Sequence, residues 1–252
     1  MNKSSGRTLE ILEYFVALEG KSVGVSEISR AMQLPKSSTH ALLTTMAEEG
    51  FLAYTTETEK RFRLGRRSFR LGLSIVNQMH TADATHQILE ELFAATEHMV
   101  LLAKPQHDKI IFVDKVEGGG AVRLLLEIGS QGCYHLTAAG KAIAAEMTED
   151  SLVERLGSGC YESHTERSLN TWFRFQHALK QVRQIGYADE ICENDPYTCA
   201  LAAAYFDRNG NVAGAIEVAM LSVDWANTDR ETLAQNVIHA AREISSLNGF
   251  RG

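Results

Sequence analysis

The chain is 252 residues long, 44% hydrophobic and 23% charged, with a formal net charge of −7 at pH 7. These totals suit a globular protein with room for two domains and exclude a chain that coats nucleic acid along its whole length. No apolar run approaches the roughly 20 residues that span a bilayer, and the start Met1-Asn2-Lys3-Ser4-Ser5-Gly6-Arg7 lacks a signal peptide's apolar core, which predicts a cytoplasmic protein with no membrane partner.

From Thr8 to Glu19, Leu9, Ile11, Leu12, Phe15, Val16 and Leu18 recur at helical spacing, and Gly20 lies where such a helix stops. Ser26 reads as the cap of a second helix whose Ile28, Ala31 and Met32 face inward. Met32-Gln33-Leu34-Pro35 is then a short turn, because proline cannot continue a helix but can begin one. A third helix is expected from Lys36 to Glu49, burying Leu42, Leu43, Met46 and Ala47 and ended by Gly50. Its first turn offers Lys36, Ser37, Ser38, Thr39 and His40, a donor-rich helix start of the kind that enters a DNA groove. Thr44 one turn on, and Ser26 at the preceding helix, complete the expected contacts.

Phe51–Thr55 and Arg61–Leu64 read as strands around a polar tip at 56–60, with Arg61 and Arg63 on one face and Phe62 and Leu64 on the other. Three helices and a hairpin make a winged helix-turn-helix, whose wing arginines lie near phosphates. Such units also serve as protein-interaction modules. Charge favours DNA: residues 1–72 carry 11 Lys/Arg against 8 Asp/Glu, while the remainder carries 14 against 24. Arg66–Val76 reads as a basic amphipathic linker helix, and a further helix is expected from Asp83 to His98.

The remainder alternates. Met99–Ala103, Ile110–Val113 and Val122–Leu126 are strand candidates, followed by a small-residue helix from Thr137 and helices at Glu149–Leu156 and Thr171–Ile185. Cys199–Phe206 and Val212–Ala219 flank Asp207-Arg208-Asn209-Gly210-Asn211, where Asn-Gly signals a hairpin, and a last helix spans Thr228–Leu247. The body is therefore an α+β domain with a largely antiparallel sheet. Gly118-Gly119-Gly120 opens no phosphate-binding helix, and Gly140-Lys141 lacks a Walker motif's upstream glycine. Cys133, Cys160, Cys192 and Cys199 form no Cys-x-x-Cys pair and have no metal-spaced histidines, so reduced thiols are expected and no metal or cofactor.

Leu34-Pro35-Lys36-Ser37-Ser38, Phe62-Arg63-Leu64-Gly65, Leu136–Ala142, Gly186-Tyr187-Ala188 through Glu193 and Phe206-Asp207 stand in an order that resembles the isocitrate-lyase-regulator (IclR) family of bacterial transcription factors. The resemblance covers nearly the whole chain. It implies a winged helix-turn-helix head (residues 1–66), a linker helix (67–80) and a GAF-like effector-binding and oligomerisation domain (81–252). It further implies a homodimer or tetramer on a palindromic double-stranded operator, controlling genes for small organic acids, usually as a repressor and alternatively as an activator. Family recognition helices often carry an arginine where this chain has Ala41. Carried over position by position, the family pocket falls on Ala138, Ala139, Glu190, Ala200, Glu217 and Ala219, with Leu124 as an apolar wall. The usual glycine before the pocket strand is Tyr197.

Free N–H groups at the Ala138 helix start would suit a carboxylate, and ionised Glu190 and Glu217 would welcome hydroxyls, so a hydroxylated acid such as a sugar acid is the expected effector. The competing reading leaves Glu217 on the solvent side of its strand and Glu190 in a surface loop. His135 reads as a structural residue, and Cys199 should point away from Ala200. An enzyme is disfavoured: Glu190, Glu193, Glu217 and Ser163-His164 lack a nucleophile elbow, metal cluster or cofactor fingerprint.

Overall fold

The computed structural model describes residues 3–18, 21–55, 61–79, 82–119 and 124–251, which fall into two compact units divided after residue 80. In the first, α1 (Lys3–Val16), α2 (Val25–Ala31) and α3 (Lys36–Glu48) pack with a hairpin of β1 (Leu52–Tyr54) and β2 (Phe62–Leu64), antiparallel with Leu52 opposite Leu64. Ile11, Phe15, Val23, Ile28, Leu43, Met46, Leu52 and Phe62 form its core. Val23 and Phe62 exchange both backbone hydrogen bonds, so the segment before α2 joins the wing as a third short strand. α4 (Arg66–Met79) begins against the hairpin: the N–H groups of Gly65 and Arg67 donate to the carbonyls of Phe51 and Gly50, and the Ser68 hydroxyl donates to Phe51 O.

Several expectations shift here. α1 starts at Lys3 rather than Thr8. Ser26 caps nothing, because the cap of α2 is Gly24, whose N–H is held at 2.7 Å by the Glu27 carboxylate reaching back from the first turn. Ala31 is exposed rather than inward. The turn before α3 needs Gln33 in the left-handed region (φ 53°) and is closed by the Ser29 hydroxyl donating to Leu34 O at 2.7 Å. Gly20 and the wing tip at 56–60 lie outside the described residues.

The second unit runs α5 (Ala82–Thr96), β3 (Met99–Pro105), β4 (Lys109–Val116), β5 (Gln131–Cys133), α6 (Ala138–Ala145), α7 (Glu149–Leu156), α8 (Trp172–Ile185), β6 (Ala188–Ile191), β7 (Thr198–Phe206), β8 (Val212–Leu221), α9 (Ser222–Trp225) and α10 (Arg230–Leu247). Its sheet has the order β5-β4-β3-β8-β7-β6, with every neighbouring pair antiparallel. β7 and β8 are apolar on both faces because both are covered. Ala200, Ala202, Ala215 and Ala219 share a core with α6 and α8, and α5 and α10 pack against the sheet as well. All eight residues of α6 are buried, and its alanines and glycine allow the close approach. A Cβ at Gly140 would lie 2.6 Å from the Tyr134 Cα.

The strand expected at 122–126 does not form in its described part. Val122 and Arg123 lie outside the described residues, and Leu124–Leu126 carry no ladder because β5 occupies the free edge of β4. The alternation that suggested a strand survives as burial, with Leu124 and Leu126 packed on the core and Leu125 almost fully exposed.

Candidate DNA interface and ligand pocket

The start of α3 divides its side chains. Lys36, Ser37, Ser38 and His40 are exposed on the first turn, whereas Thr39 is 0% exposed and its hydroxyl donates to Pro35 O at 3.0 Å. Thr39 is therefore a core residue and not a groove contact, because its spacing to Leu43 and Met46 puts it on the buried stripe. Thr44 is also withdrawn from the expected contacts, since its hydroxyl oxygen is buried and has no hydrogen-bond partner among the described residues. The outward hydroxyl one turn on belongs to Thr45, which shares the exposed face with Ser38 and Ala41. Ser26 is exposed on α2.

The wing arginines do not act alike. Arg63 is exposed and has no partner among the described residues. Arg61 folds back: its Nη2 donates to Ser22 O at 2.6 Å and lies 3.2 Å from the Glu27 carboxylate. The Gly24 N–H and this arginine hold the Glu27 carboxyl below its usual range. Arg61 is thus a clip between wing and α2 rather than a free phosphate ligand, because Ser22 and Glu27 offer it acceptors that Arg63 lacks. Arg67 is likewise engaged, 2.7 Å from Glu49 and with its guanidinium 5.0 Å over the Phe51 ring. Arg66 and Arg70 remain exposed on α4.

In the second unit a cavity of about 470 Å³ opens between the start of α6, strands β7 and β8, and the stretches at 124–126 and 194–198. Leu124, Ala138, Glu190, Ala200, Glu217 and Ala219 all line it. Ala139 does not line it but matters to it: its N–H is taken by Glu217 Oε2 at 2.6 Å. The next N–H of the helix, that of Gly140, is taken by the capping Thr137 hydroxyl at 3.0 Å. Of the amides at the α6 start expected to receive an effector carboxylate, that of Ala139 is therefore already filled by a carboxylate of the protein itself and that of Gly140 by its capping hydroxyl.

Neither glutamate sits at the surface. Glu190 lies on β6, 3% exposed, and its Oε1 accepts from the N–H groups of Glu193 at 2.5 Å and Asn194 at 3.2 Å. Burial pushes its carboxyl up to about 8, against those N–H groups and with help from the charges of Glu217 and Glu193. Glu217 is 4% exposed, and burial lifts its carboxyl to about 7 against the Ala139 N–H and the Lys141 charge. Behind them Lys141 and Glu193 form a buried bidentate pair at 2.7 and 2.8 Å, which ties α6 to the segment after β6.

Raised carboxyls carry a sign for stability. A group with a higher pKa when folded binds more protons folded than unfolded, so its contribution is full below about 4.5 and fades as pH rises through about 8. Glu190→Gln keeps the acceptor for Glu193 and Asn194 but not the charge. It is expected to match the parent near pH 4.5 and to be more stable by on the order of 4 kcal/mol at pH 9. Denaturant titrations across that range check this; an equal pH slope for both proteins would refute it.

Sequence reasoning missed Met99 and Phe112 as apolar walls and the 194–198 segment as the rim. Tyr197, which stands in place of the family's usual glycine, is exposed at that rim. His135 is buried, bonded to Glu162 O at 3.0 Å and packed against Tyr161 and Phe175, a structural role. Cys199 faces away from the cavity, its sulfur 3.9 Å from that of Cys192. Ser163 Oγ donates to Thr165 O, while His164 Nδ1 lies against Asn194, so the two make no nucleophile–base pair. Among the described residues no group of three or more His, Cys, Asp or Glu could hold a metal ion, and no helix is long and apolar enough to cross a membrane.

Comparison with known proteins agrees across both units. A family model described as bacterial transcriptional regulator IclR C-terminal matches residues 73–246, and one described as the IclR helix-turn-helix domain matches residues 4–56. The transcriptional repressor IclR of Escherichia coli K12 is 29% identical over 251 residues, covering 98% of this chain and 90% of that protein. The regulator KdgR of the same organism is 24% identical over 254 residues, covering 99% and 96%. Among solved structures, Thermotoga maritima IclR superposes with a TM-score of 0.79 at 23% identity, covering 99% of this chain and 100% of that one. An IclR homologue from Microbacterium hydrocarbonoxydans, solved in complex with 4-hydroxybenzoate, superposes with a TM-score of 0.84 at 18% identity, covering 98% and 99%.

Proposed function

The chain belongs to the IclR family of bacterial transcriptional regulators, and on that premise we propose that it is a ligand-responsive repressor whose operator binding is set by a small molecule in the cavity of its second unit. It is a regulator and not an enzyme. Residues 1–66 serve as the DNA-binding head, 67–80 as the linker helix and 81–252 as the effector-binding and oligomerisation domain, working in the cytoplasm as a homodimer or tetramer on a palindromic operator. The observation that carries the reading is the outward first turn of α3, where Lys36, Ser37, Ser38 and His40 stand free of the core that fixes the helix. Leu9 and Val16 on α1, and Phe69 and Leu71 on α4, are apolar and exposed, which supports a second copy covering them. An effector bound in the cavity would bias the placement of two heads, so that half-sites one or more helical turns apart fit or fail to fit.

Gel shift on the promoter nearest its own gene tests this directly. Absence of binding by the unliganded chain would remove the proposal. Lys36→Ala and Arg63→Ala are each expected to weaken binding across sequences. Each should also reduce the salt slope, d log K/d log[salt], by about 0.9, because one phosphate fewer is neutralised. Arg61→Ala should leave the slope unchanged and instead lower the melting temperature of the head, since its guanidinium already holds Ser22 and Glu27. A slope change for Arg61→Ala equal to that for Arg63→Ala would refute this division of labour.

A further inference from the structure

The cavity has an acidic end whose protein partners are incomplete. Glu217 uses Oε2 on the Ala139 N–H, and Glu190 uses Oε1 on the N–H groups of Glu193 and Asn194. The second oxygen of each, Glu217 Oε1 and Glu190 Oε2, has no hydrogen-bond partner among the described residues, although both side chains are more than nine-tenths buried and line the cavity. Asp195, the other acid of the lining, differs: its two oxygens are occupied by Tyr197 N–H and the Thr198 hydroxyl.

Among the described residues, no lysine or arginine lines the cavity. Lys141 is committed to both oxygens of Glu193, and Lys109 holds the Cys133 sulfur at 2.9 Å. His164 reaches the lining, but its ring lies between Asn194 and the Glu162 carboxylate. The rest of the wall is largely apolar, from Met99, Phe112, Leu124 and Leu126 with the alanines of β7 and β8. Two desolvated carboxyls therefore face a small-molecule-sized space with no free cation among the described residues to answer them.

We infer that the effector is a small organic cation, with a protonated amine or amidinium held between Glu190 and Glu217 and an apolar body against Met99, Phe112, Leu124 and Leu126. The inference rests on the reading of this cavity as the effector site and gives that site its ligand class. A carboxylate would meet two carboxylates with the Ala139 amide already filled. A neutral polyol would meet the free oxygens with the carboxyls still protonated and would release no proton. A cation supplies the donors and cancels the charge together, which a buried acid needs in order to ionise. Because burial raises both carboxyls toward neutrality, cation binding should expel protons as it draws them back into the charged form.

The test uses the full chain and isosteric sets in which only the end group changes, such as benzylamine and benzamidine against benzyl alcohol and benzoate, and butylamine against butanol and butyrate. Calorimetry in two buffers of different ionisation enthalpy reads affinity and proton release, and gel shift with the promoter fragment reads the consequence. The expected result is millimolar or tighter binding by an amine or amidine, release of protons, and at least a tenfold loss in both Glu217→Gln and Glu190→Gln. Both substitutions retain an oxygen for the backbone amides, and unchanged circular dichroism verifies that they fold. Binding of a carboxylate or alcohol as tight as that of its matching amine overturns the inference, as does failure of every amine and amidine. A carboxylate that shifts operator binding while the amines stay inert would remove the cation assignment and leave the regulator intact; loss of operator binding by the unliganded chain would remove the regulator itself.

Discussion

Lys141→Ala is expected to destabilise the second unit by about 3–5 kcal/mol, enough to remove much of the stability of an ordinary domain. The side chains of Lys141 and Glu193 are only 3% and 11% exposed, and both oxygens of the glutamate are held by the one ammonium. Removing the cation strands a carboxylate in a region where burial already pushes its carboxyl up. The loss reaches the cavity, because the Glu193 N–H is one of two donors on Glu190. The double substitution Lys141→Met with Glu193→Leu should regain most of the stability, since two apolar groups strand no charge. Denaturant unfolding followed by a probe in the second unit measures both. A cost below about 1 kcal/mol for Lys141→Ala would show that water reaches the pair.

The other large effect falls on the head. Gly65 is buried at the junction of β2 and α4, and a Cβ there would lie 2.6 Å from Leu52 O and also against Gly50 O, both backbone atoms that cannot swing aside. Gly65→Ala must part the wing from the first turn of α4, breaking the 2.7 Å bond from Gly65 N–H to Phe51 O. The expected cost is about 1–3 kcal/mol in a unit of some 80 residues, with operator binding reduced at least tenfold and the second unit's unfolding unchanged. Gly72→Ala is the control. Nothing lies within 4 Å of its added Cβ, and alanine inside a helix should stabilise by about 0.5–1 kcal/mol. Parent-like binding by Gly65→Ala would mean that the wing is not held where the junction holds it.

Much of the framework was legible because long periodic segments declare themselves. α7 falls on the expected residues 149–156, and the hairpin at Asn209-Gly210 closes with Gly210 at φ 81° and the Asp207 carboxylate on two N–H groups of the turn. β5 and β6 were missed because three or four residues carry no usable period, and β6 hid behind the Gly186 stop of α8. The inward place of Thr39 was readable, since 39, 43 and 46 repeat the core spacing, but its hydroxyl chemistry drew it into the donor-rich turn. Arg61 and Arg63 could not be told apart by alternation, because what separates them is Ser22 and Glu27, some 34–39 residues away in the chain. For the pocket, the family resemblance placed Glu190 and Glu217 together, but only three-dimensional packing could reveal that one of them already holds an amide of α6.

The clipping of Arg61 onto Glu27 and of Arg67 onto Glu49 bears on how steeply such a regulator can switch. In the proposed homodimer, a head that ties part of its positive charge into its own ion pairs would grip one half-site weakly, so tight occupancy would depend on avidity. Once one head of that dimer is seated, its tethered twin would search at an effective concentration that can raise overall affinity by about 10²–10⁴. That gain vanishes when geometry forbids both heads from engaging. A modest change in head spacing would then move occupancy much further than any change in the grip of a single head, and these two surface ion pairs would be what keeps the single grip low.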